Sequence, residues 1–289
     1  MTAIADDRAP SSPLERIGEA IRRHPTIFIG AALLGALVIV AVFAPLIAAD
    51  PLKQATINRL RPPSARWWFG TDQYGRDMFA RTIYGARVSL VVGISVALFS
   101  SAIGLAIGLA CGYFRAVDAF LMRVMDGLMA IPSILLAIAL ITLTRPGLGI
   151  VIIAIVIPEV PRVSRVVRSV VLSIRSQPYI ESAIAGGTRS GKLLVRHILP
   201  NTLASLIVQG TYVCASAMLI EAGLSFLGAG VPPEIPSWGN IVAQGRTFFQ
   251  IAPWTILIPG AFLALTVLAV NMLGDGMRDR LDPRLARRM

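Results

Sequence analysis

The stretch VSLVVGISVALFSSAIGLAIGLACGYF, from Val88 to Phe114, contains no charged residue and is longer than the ~20 residues that a helix needs to cross a bilayer. Further charge-free stretches are Pro25–Ala49, Gly127–Thr144, Ile198–Ile220 and Thr247–Gly274. A sixth apolar stretch, Pro146–Pro161, carries Pro158, Glu159 and Pro161 near its end, which predicts a span with a broken inner end. We therefore predict an all-α polytopic membrane protein with six transmembrane helices.

The composition agrees with this class, because 55% of the residues are hydrophobic, 15% are charged and the mean hydropathy is +0.70. A transmembrane barrel would show segments of alternating polarity, which the sequence lacks. The net charge of +11 comes from scattered basic residues that are not interleaved with aromatic ones, so we predict no nucleic-acid partner. Cys111 and Cys214 lie inside apolar stretches without disulfide or metal-ligand spacing, and we expect them to act as packing residues.

The distribution of Lys and Arg predicts the orientation, since these residues are retained on the cytoplasmic side of a membrane. Over all segments they favour a cytoplasmic head at 1–25 and a cytoplasmic tail at 275–289, although the predicted external loop 50–87 is itself basic. Residues 26–49 then form the first transmembrane helix, which is a retained anchor rather than a cleaved signal peptide. Residues 88–274 form a core of five further helices, with a cytoplasmic loop at 162–201 and an external loop at 225–250.

The string GGTRSGKL, residues 186–193, is one letter short of the phosphate-binding loop GxxxxGK[ST]. Leu193 stands where a hydroxyl group would hold magnesium, and the residues before the string have a helical pattern. Pro178 suits a first helical turn, Glu181 lies near the positive end of that helix, and the two glycines interrupt it. We therefore predict two short helices that meet at a glycine elbow, and no nucleotide or magnesium bound by this chain.

The same region resembles the EAA loop of permease subunits in ABC importers. The residues that carry the motif and its elbow are Glu181, Ser182, Ala183, Gly186, Gly187, Leu199 and Pro200. Ser182 stands where the family usually has alanine, and His197 stands where it usually has isoleucine. In that family the loop is a coupling helix that lies in a groove on a separate ATP-hydrolysing subunit, so the resemblance implies an ATPase-coupling role for these residues.

Three longer stretches resemble the C-type permease of dipeptide, oligopeptide and nickel importers. They are FGTDQYGRDMFARTIYGARVSL (Phe69–Leu90), LSFLGAGVPPEIPSWGNIV (Leu224–Val242) and NMLGDGMRDRLDPR (Asn271–Arg284). The resemblance implies a type I ABC importer permease fold in the plasma membrane of a prokaryote. It also implies as partners a homologous B-type permease, two ATP-binding subunits that hold ATP and magnesium, and an external substrate-binding protein. The chain would then catalyse no reaction itself, and dipeptides or short oligopeptides are the expected substrates.

Two other functions fit the same sequence. Nickel or glutathione is an alternative substrate for an importer of this family, because recognition can reside in the binding protein. An ion-coupled secondary transporter is the alternative from another class, with Glu159 beside two prolines as its coupling site. The sequence lacks a visible inverted repeat, which many such transporters contain.

Glycine spacing predicts helix contacts. Gly104, Gly108 and Gly112 recur at every fourth residue, as glycines do in closely packed membrane helices. Gly85 and Gly93 precede them in the same stretch. We expect all five glycines to serve packing rather than binding.

The predicted external loop contains candidates for contact with the binding protein, namely Pro236, Trp238 and Gly239. The alternatives for this loop are a rigid surface cap and a tryptophan anchor at the membrane interface. Glu221 precedes the loop, late in a predicted span, and has no local partner. We predict that Glu221 faces the translocation pathway.

Two further acids lie within predicted spans, where a charge at the bilayer centre costs at least ~2.5 kcal/mol. Asp126 lies three residues after Arg123, and Glu159 can reach Arg162 or Arg165 in the same way. We therefore predict that both acids form ion pairs within their own helices.

Overall fold

The computed structural model describes residues 25–144 and 147–281, so the predicted head before residue 25 and the tail beyond residue 281 lie outside the described residues. In chain order the α-helices are α1 (Pro25–Val42), α2 (Ala44–Ile47), α3 (Met78–Tyr113), α4 (Arg115–Ala130), α5 (Ser133–Thr142), α6 (Leu148–Arg175), α7 (Pro178–Ala185), α8 (Ser190–Leu193), α9 (Leu199–Phe226), α10 (Trp238–Gly245) and α11 (Trp254–Leu281). No strand occurs in these two ranges, which confirms the predicted all-α class.

Four helical runs are long and apolar enough to cross a membrane, namely Pro25–Val42, Met78–Tyr113, Ser190–Phe226 and Trp254–Arg280. The pair of α4 and α5 counts as a fifth if the bend of 88° between them lies within one broken span. α6 is not among these apolar runs, because Glu159, Arg162 and Arg165 interrupt its apolar sequence. Within the described residues, length and composition therefore support four or five spans and do not reach the predicted six.

α3 begins at Met78 rather than at the predicted Val88, because Asp77 caps its N-terminus. The Asp77 carboxylate accepts a hydrogen bond from the Phe79 backbone N–H at 2.9 Å. Arg81 is therefore part of this helix, and it is only 1% exposed. A search for charge-free stretches misses the first turns of α3 because it stops at the arginines.

The predicted third span, Gly127–Thr144, is not one helix, since α4 ends at Ala130 and α5 begins at Ser133. Pro132 disfavours helical dihedral angles in the residue before it, and Ile131 is extended, with φ −93° and ψ 128°. Steric contact with the proline ring thus breaks a stretch whose composition is uniformly apolar.

α6 packs extensively against α3, and it continues without a break through Pro158 and Pro161 to Arg175. The predicted broken end of this span is therefore wrong. Each proline removes one helical hydrogen bond, but both residues are buried, and the contact with α3 offsets the loss.

A row of three glycines on α3 faces a row of three valines on α6. The contacts are Gly104 with Val163, Gly108 with Val167 and Gly112 with Val171. A Cβ atom added at any of these glycines would lie 2.5 to 2.6 Å from the Cβ of the facing valine. Closely packed interiors contain no such contacts, so any side chain in this row forces the two helices apart. The predicted packing role of the three glycines is confirmed.

Two apolar cores hold the helices together. The larger core joins α3, α5, α6 and α9, and the smaller core joins α1, α10 and α11 to other faces of α3 and α9. The two remaining glycines of α3 also serve packing, because Gly85 faces Trp238 of α10 and Gly93 faces Met218 of α9. α3 is thus in contact with both cores along its length.

Candidate functional site

The elbow, residues 176–198, connects α6 to α9 and contains α7 and α8. α7 starts at Pro178, which occupies the first helical turn, where its missing N–H is not needed. Glu181 lies in the same turn, where the positive end of the helix dipole favours an acid. The predicted first short helix is confirmed. A helix and not a strand therefore precedes GGTRSGKL, which is not the setting of a phosphate-binding loop.

α7 ends in a Schellman motif at the two glycines. The Thr188 N–H donates to the Ala183 carbonyl at 3.0 Å, and the Gly187 N–H donates to the Ile184 carbonyl at 2.9 Å. Gly187 has φ +76°, and beyond its chain neighbours no atom lies within 4 Å of the position of an added Cβ. Gly186 has an ordinary φ of −74°. Only Gly187 therefore requires glycine, and its dihedral angle is the reason.

The prediction of a second, separate short helix is wrong, because α8 continues into α9. A π-helical turn at Leu194–Ile198 follows α8, and in it the Leu199 N–H donates to the Leu194 carbonyl. Pro200, which has no N–H to donate, thereby lies inside a continuous helical run from Ser190 to Phe226. Such turns are rare in α-helices and are frequent at functional sites.

Three aliphatic side chains seat the elbow on the rest of the protein. Ile180, Leu193 and Ile198 are each 0% exposed and belong to the larger core. Burial of each side chain stabilises this arrangement by roughly 1.5–3 kcal/mol. The residues predicted for coupling lie outside these anchors. Five of these residues are exposed, namely Glu181, Ser182, Gly186, Gly187 and Pro200. The other two, Ala183 and Leu199, are partly buried.

Polar contacts join the elbow to the end of α3, and the end of α3 to the end of α6. The Tyr113 hydroxyl donates to Ser190 Oγ at 3.1 Å. Arg175 Nη1 donates to the Tyr113 carbonyl at 2.8 Å, and its guanidinium lies 5.3 Å from the centre of the Tyr113 ring. Sequence reasoning did not single out these residues, because they are far apart in the chain.

Three ion pairs lie further along α6, two of them with α4 and one within α6 itself. They join Asp118 to Arg168 at 2.5 and 2.6 Å, Asp126 to Arg165 at 2.6 Å, and Glu159 to Arg162 at 2.7 Å. The predicted pair of Glu159 with Arg162 is confirmed. The predicted pair of Asp126 with Arg123 is wrong, because α6 supplies Arg165 across the contact between the helices.

Glu221, predicted to face the pathway, lies at the other end of α9 and is 0% exposed. Its Oε1 atom accepts hydrogen bonds from the hydroxyl groups of Ser225 and Ser237, both at 2.8 Å. The Ser237 hydroxyl also accepts a hydrogen bond from the Asn240 N–H and caps α10. In this conformation Glu221 fixes the start of α10, and contact with a substrate would require α10 to move.

The residues predicted to contact the binding protein differ in exposure. Trp238 is 0% exposed, and its indole Nε1 donates to the Thr82 carbonyl at 2.9 Å. Gly239 is buried, and a Cβ added there would lie 2.6 Å from the Cα of Ala222. Neither residue is available to a surface partner or to the membrane interface in this conformation. Pro236 is partly exposed, and the predicted contact stays a prediction that rests on this residue.

Residues 102–287 match the family model of the inner membrane component of binding-protein-dependent transport systems, which covers more than half of the chain. The chain belongs to this family of transport permeases. Residues 12–63 match a second model, the N-terminal transmembrane domain of oligopeptide transport permease C. The permease is therefore of the C type, as its resemblance to that branch predicts.

Relatives of the permease align over nearly its whole length. A probable peptide ABC transporter permease protein of Sinorhizobium fredii is 56% identical over 289 residues, which cover 99% of each chain. A dipeptide transport system permease protein of Alkalihalophilus pseudofirmus is 41% identical over 97% of this permease and 93% of that protein. An oligopeptide transport system permease protein of Bacillus subtilis is 36% identical over 91% of this permease and 87% of that protein.

The fold of the permease is also found in a solved structure. A chain of the MetNI methionine ABC transporter, in an inward-facing conformation, matches 71% of the permease with a TM-score of 0.60 and 21% identity. The match covers 98% of that chain. The permease thus has the fold of an ABC importer permease. Members of this family are inner membrane proteins that work with ATPase and substrate-binding subunits, so the permease is a multi-pass protein of the bacterial inner membrane.

The permease also contains a buried charge cluster that sequence reasoning missed. The Asp72 carboxylate accepts hydrogen bonds from Arg76 Nε at 2.6 Å and from Arg81 Nη1 at 2.5 Å. Both guanidinium groups also donate to Gln244 Oε1 of α10, at 2.7 and 3.1 Å. Gln244 lies 168 residues after Arg76, so no local pattern pairs them. The only signal in the sequence is the density of Gly, Asp and Arg in FGTDQYGRDMFAR.

Proposed function

We propose that the permease and a homologous B-type permease together form the transmembrane pathway of an ATP-driven importer for dipeptides or short oligopeptides. An external binding protein delivers the substrate, and this chain catalyses no reaction itself. The substrate class rests on the relatives that are named as peptide, dipeptide and oligopeptide permeases and that align over the full length. Nickel or glutathione remains the alternative within the same family.

The elbow is the part of the permease that responds to ATP, and the observation that carries this proposal is its combination of anchored and exposed residues. Three buried side chains hold its base, whereas most of the surface of α7 is exposed, including Tyr179 at 48% and Ile184 at 46%. A rigid, exposed helix on a firm base suits a groove on a partner subunit. The EAA-like residues of α7 then contact the ATPase.

ATP and magnesium bind to two separate ATPase subunits, and this chain binds neither. An ATPase dimer shifts the equilibrium between outward and inward access only if it binds the elbow differently in the two states. The Schellman motif at Gly187 gives α7 a defined direction relative to α9. A movement of α7 is therefore transmitted to α9, which a flexible loop would not do.

Both termini face the cytoplasm in this proposal, and the permease has six spans. α6 is the additional span, because its 28 residues reach ~42 Å, enough to cross the hydrocarbon core, and its charged half lies near the cytoplasmic side. The ion pairs of α6 with α4 reduce the cost of placing those charges near the membrane. The elbow is then cytoplasmic, and α10 lies at the external end.

Cross-linking tests the position of the ATPase. Ala185→Cys on α7 and Leu227→Cys at the far end of α9 are both exposed, and Leu227 is 60% exposed. In the assembled complex we expect a thiol cross-linker to join Cys at 185 to an ATPase subunit, whereas Cys at 227 stays unlinked. Equal linking from both positions would contradict the proposed role of the elbow.

Transport by the purified complex tests the substrate and the energy source. Proteoliposomes that contain both permeases and the ATPase subunits should accumulate a labelled dipeptide only with its binding protein and ATP. Accumulation of nickel or glutathione instead would assign the alternative substrate. Uptake that follows a proton gradient without ATP would assign the permease to ion-coupled transport.

A further inference from the structure

A cavity of about 300 Å³ lies where α9 ends and α10 begins, at the opposite end of α9 from the elbow. Its lining includes Ser225, Phe226, Pro233, Asn240, Gln244 and Arg246. The proposed coupling role of the elbow does not use this cavity. Sites for small molecules start near this volume, so the cavity is large enough for one side chain or one terminal residue of a peptide.

The walls of the cavity are held in place without a ligand. The Asn240 side-chain amide contacts three carbonyl groups of the loop before α10, at 2.9, 3.0 and 3.1 Å. The end of α9 is closed by a second Schellman motif at Gly228, which has φ +83°. A preformed wall of this kind reduces the entropy lost when a ligand binds.

Arg246 supplies a positive charge at the rim of the cavity. Its Nη1 atom donates to the Phe226 carbonyl at 3.0 Å, and its guanidinium lies 5.4 Å from the centre of the Phe226 ring. In the part of the chain that the structure describes, Arg246 forms no ion pair. The remaining N–H groups of the guanidinium are thus available to an acceptor from outside.

A second positive charge lies behind the wall. Gln244 lines the cavity, and its Oε1 atom accepts hydrogen bonds from Arg76 and Arg81, which share the single carboxylate of Asp72. The Nε and Nη2 atoms of Arg81 are buried without a hydrogen-bond partner among the described residues. Because Oε1 points to the arginines, the Gln244 amide N–H groups point to other acceptors, and the Pro233 carbonyl lies 3.5 Å away.

The acids nearest to the cavity do not line it. Glu221 lies behind Ser225 and accepts hydrogen bonds from two hydroxyl groups. Glu234 lies in the loop before α10, where it is exposed. The lining therefore contains one cation, Arg246, and no carboxylate. Of its two side-chain amides, that of Asn240 already donates to the loop carbonyl groups, so Gln244 supplies the amide donor.

We propose that this cavity binds a carboxylate group, with Arg246 as its ion-pair partner and the Gln244 amide as a further donor. The inference rests on the proposed function for its orientation, since it places the cavity on the external side. Two sources carry this chemistry, namely an Asp or Glu side chain of the binding protein and the C-terminal carboxylate of the transported peptide. In either case the cavity is a point of recognition separate from the ATPase contact.

Variants of Arg246 and Ala243 test the proposal in the complete complex in lipid nanodiscs. Arg246→Gln removes the cation, Arg246→Lys retains it, and Ala243→Leu fills the cavity from its lining without changing charge. Arg59→Gln is the matched control, because Arg59 is also an exposed arginine on an aromatic ring, that of Phe248. Assembly of every variant is checked by size-exclusion chromatography.

Two measurements separate the sources. The first is the affinity of the peptide-free binding protein for the complex, and the second is the KM for uptake of dialanine compared with its C-terminal amide. We expect Arg246→Gln and Ala243→Leu either to lower the affinity for the binding protein or to raise the KM for dialanine, by about tenfold or more, as for the loss of a charge-assisted hydrogen bond. Arg246→Lys should change the same quantity less. Loss of affinity for the binding protein identifies its side chain as the ligand. A larger KM for dialanine, with no change for the amide, identifies the peptide carboxylate.

The proposal is overturned if Arg246→Gln matches wild type and Arg59→Gln in both measurements. It is also overturned if Arg246→Gln acts but Ala243→Leu does not, because the cavity is then not involved. A wild-type complex that binds its binding protein but transports no peptide would reject the proposed substrate. The comparison of affinities for the binding protein would still test the cavity in that case.

Discussion

Replacement of Gly187 tests whether the shape of the elbow matters for transport. Gly187 has φ +76°, and an L-residue in this left-handed conformation costs about 1–2 kcal/mol. An added Cβ would meet no atom within 4 Å beyond the chain neighbours, so Gly187→Ala carries the dihedral cost alone. Gly187→Val should cost more because its side chain is β-branched, and Gly187→Asn should cost less because asparagine tolerates this region.

Gly186 provides the matched control. Its φ of −74° suits any residue, and an added Cβ would lie 3.4 Å from the Ser182 carbonyl oxygen, which is ordinary contact. A cost of one to two kcal/mol lowers the population of the native elbow relative to rearranged forms by a factor of about 5–30. The four variants therefore separate an effect of backbone shape from an effect of adding a methyl group at the elbow.

The assay is uptake of labelled dipeptide per ATP hydrolysed in proteoliposomes, with assembly of the sister permease checked separately. We expect uptake per ATP to fall in the order Gly186→Ala, Gly187→Asn, Gly187→Ala, Gly187→Val, with the first close to wild type. Gly187→Val with normal uptake and normal ATPase stimulation would falsify the coupling role of this residue. Loss of assembly in that variant would show instead that the glycine serves folding.

Three further predictions concern packing, nucleotide binding and orientation. Gly108→Ala should lower the melting temperature of the purified permease, because the new Cβ would lie 2.6 Å from the Cβ of Val167. Gly127→Ala is the control and should leave the melting temperature unchanged, since no atom lies within 4 Å of its added Cβ. Equal melting temperatures for the two variants would refute the packing role. Leu193→Ser completes the letters of a phosphate-binding loop, but titration of the isolated chain should detect no magnesium-dependent nucleotide binding. Loss of the buried leucine side chain should instead destabilise the protein by about 1.5–3 kcal/mol or more. In intact cells an impermeant thiol reagent should label Glu234→Cys but not Thr188→Cys, and the reverse would overturn the proposed orientation.

Local features of the elbow could be predicted from sequence. Pro178 and the two glycines act on their own backbone, so the start and end of α7 follow from a few adjacent letters. The continuation of α8 into α9 could not be predicted in the same way. Pro200 indicates a helix start when taken alone, whereas in the structure a π-helical turn accommodates it inside a longer helix.

Partners far apart in the sequence were the main source of error. The sequence predicts a pair of Asp126 with Arg123 because the two lie within one helical turn, but the contact of α4 with α6 brings Arg165 to Asp126. The sequence shows no charged partner for Glu221, but Ser225 lies one turn later on α9 and Ser237 lies beyond the end of that helix, and both hydroxyl groups donate to Glu221. The contacts with Arg165 and Ser237 depend on how separate elements pack, and a pattern along one helix does not contain that information.

The interlocked rows of α3 and α6 have a mechanical consequence. The valines of α6 fill the gaps left by the glycines of α3, so sliding one helix along the other would cause steric clashes. We therefore expect the two helices to move together as one rigid rod. One end of α3, at Tyr113, touches Ser190 in the elbow, and the other end, at Arg81, holds Gln244 in the wall of the cavity. The 36 residues of α3 span ~54 Å, so a small tilt of the rod at the elbow becomes a larger sideways shift at its far end. We therefore expect the rim around Gln244 to change shape when the proposed ATPase subunits move the elbow.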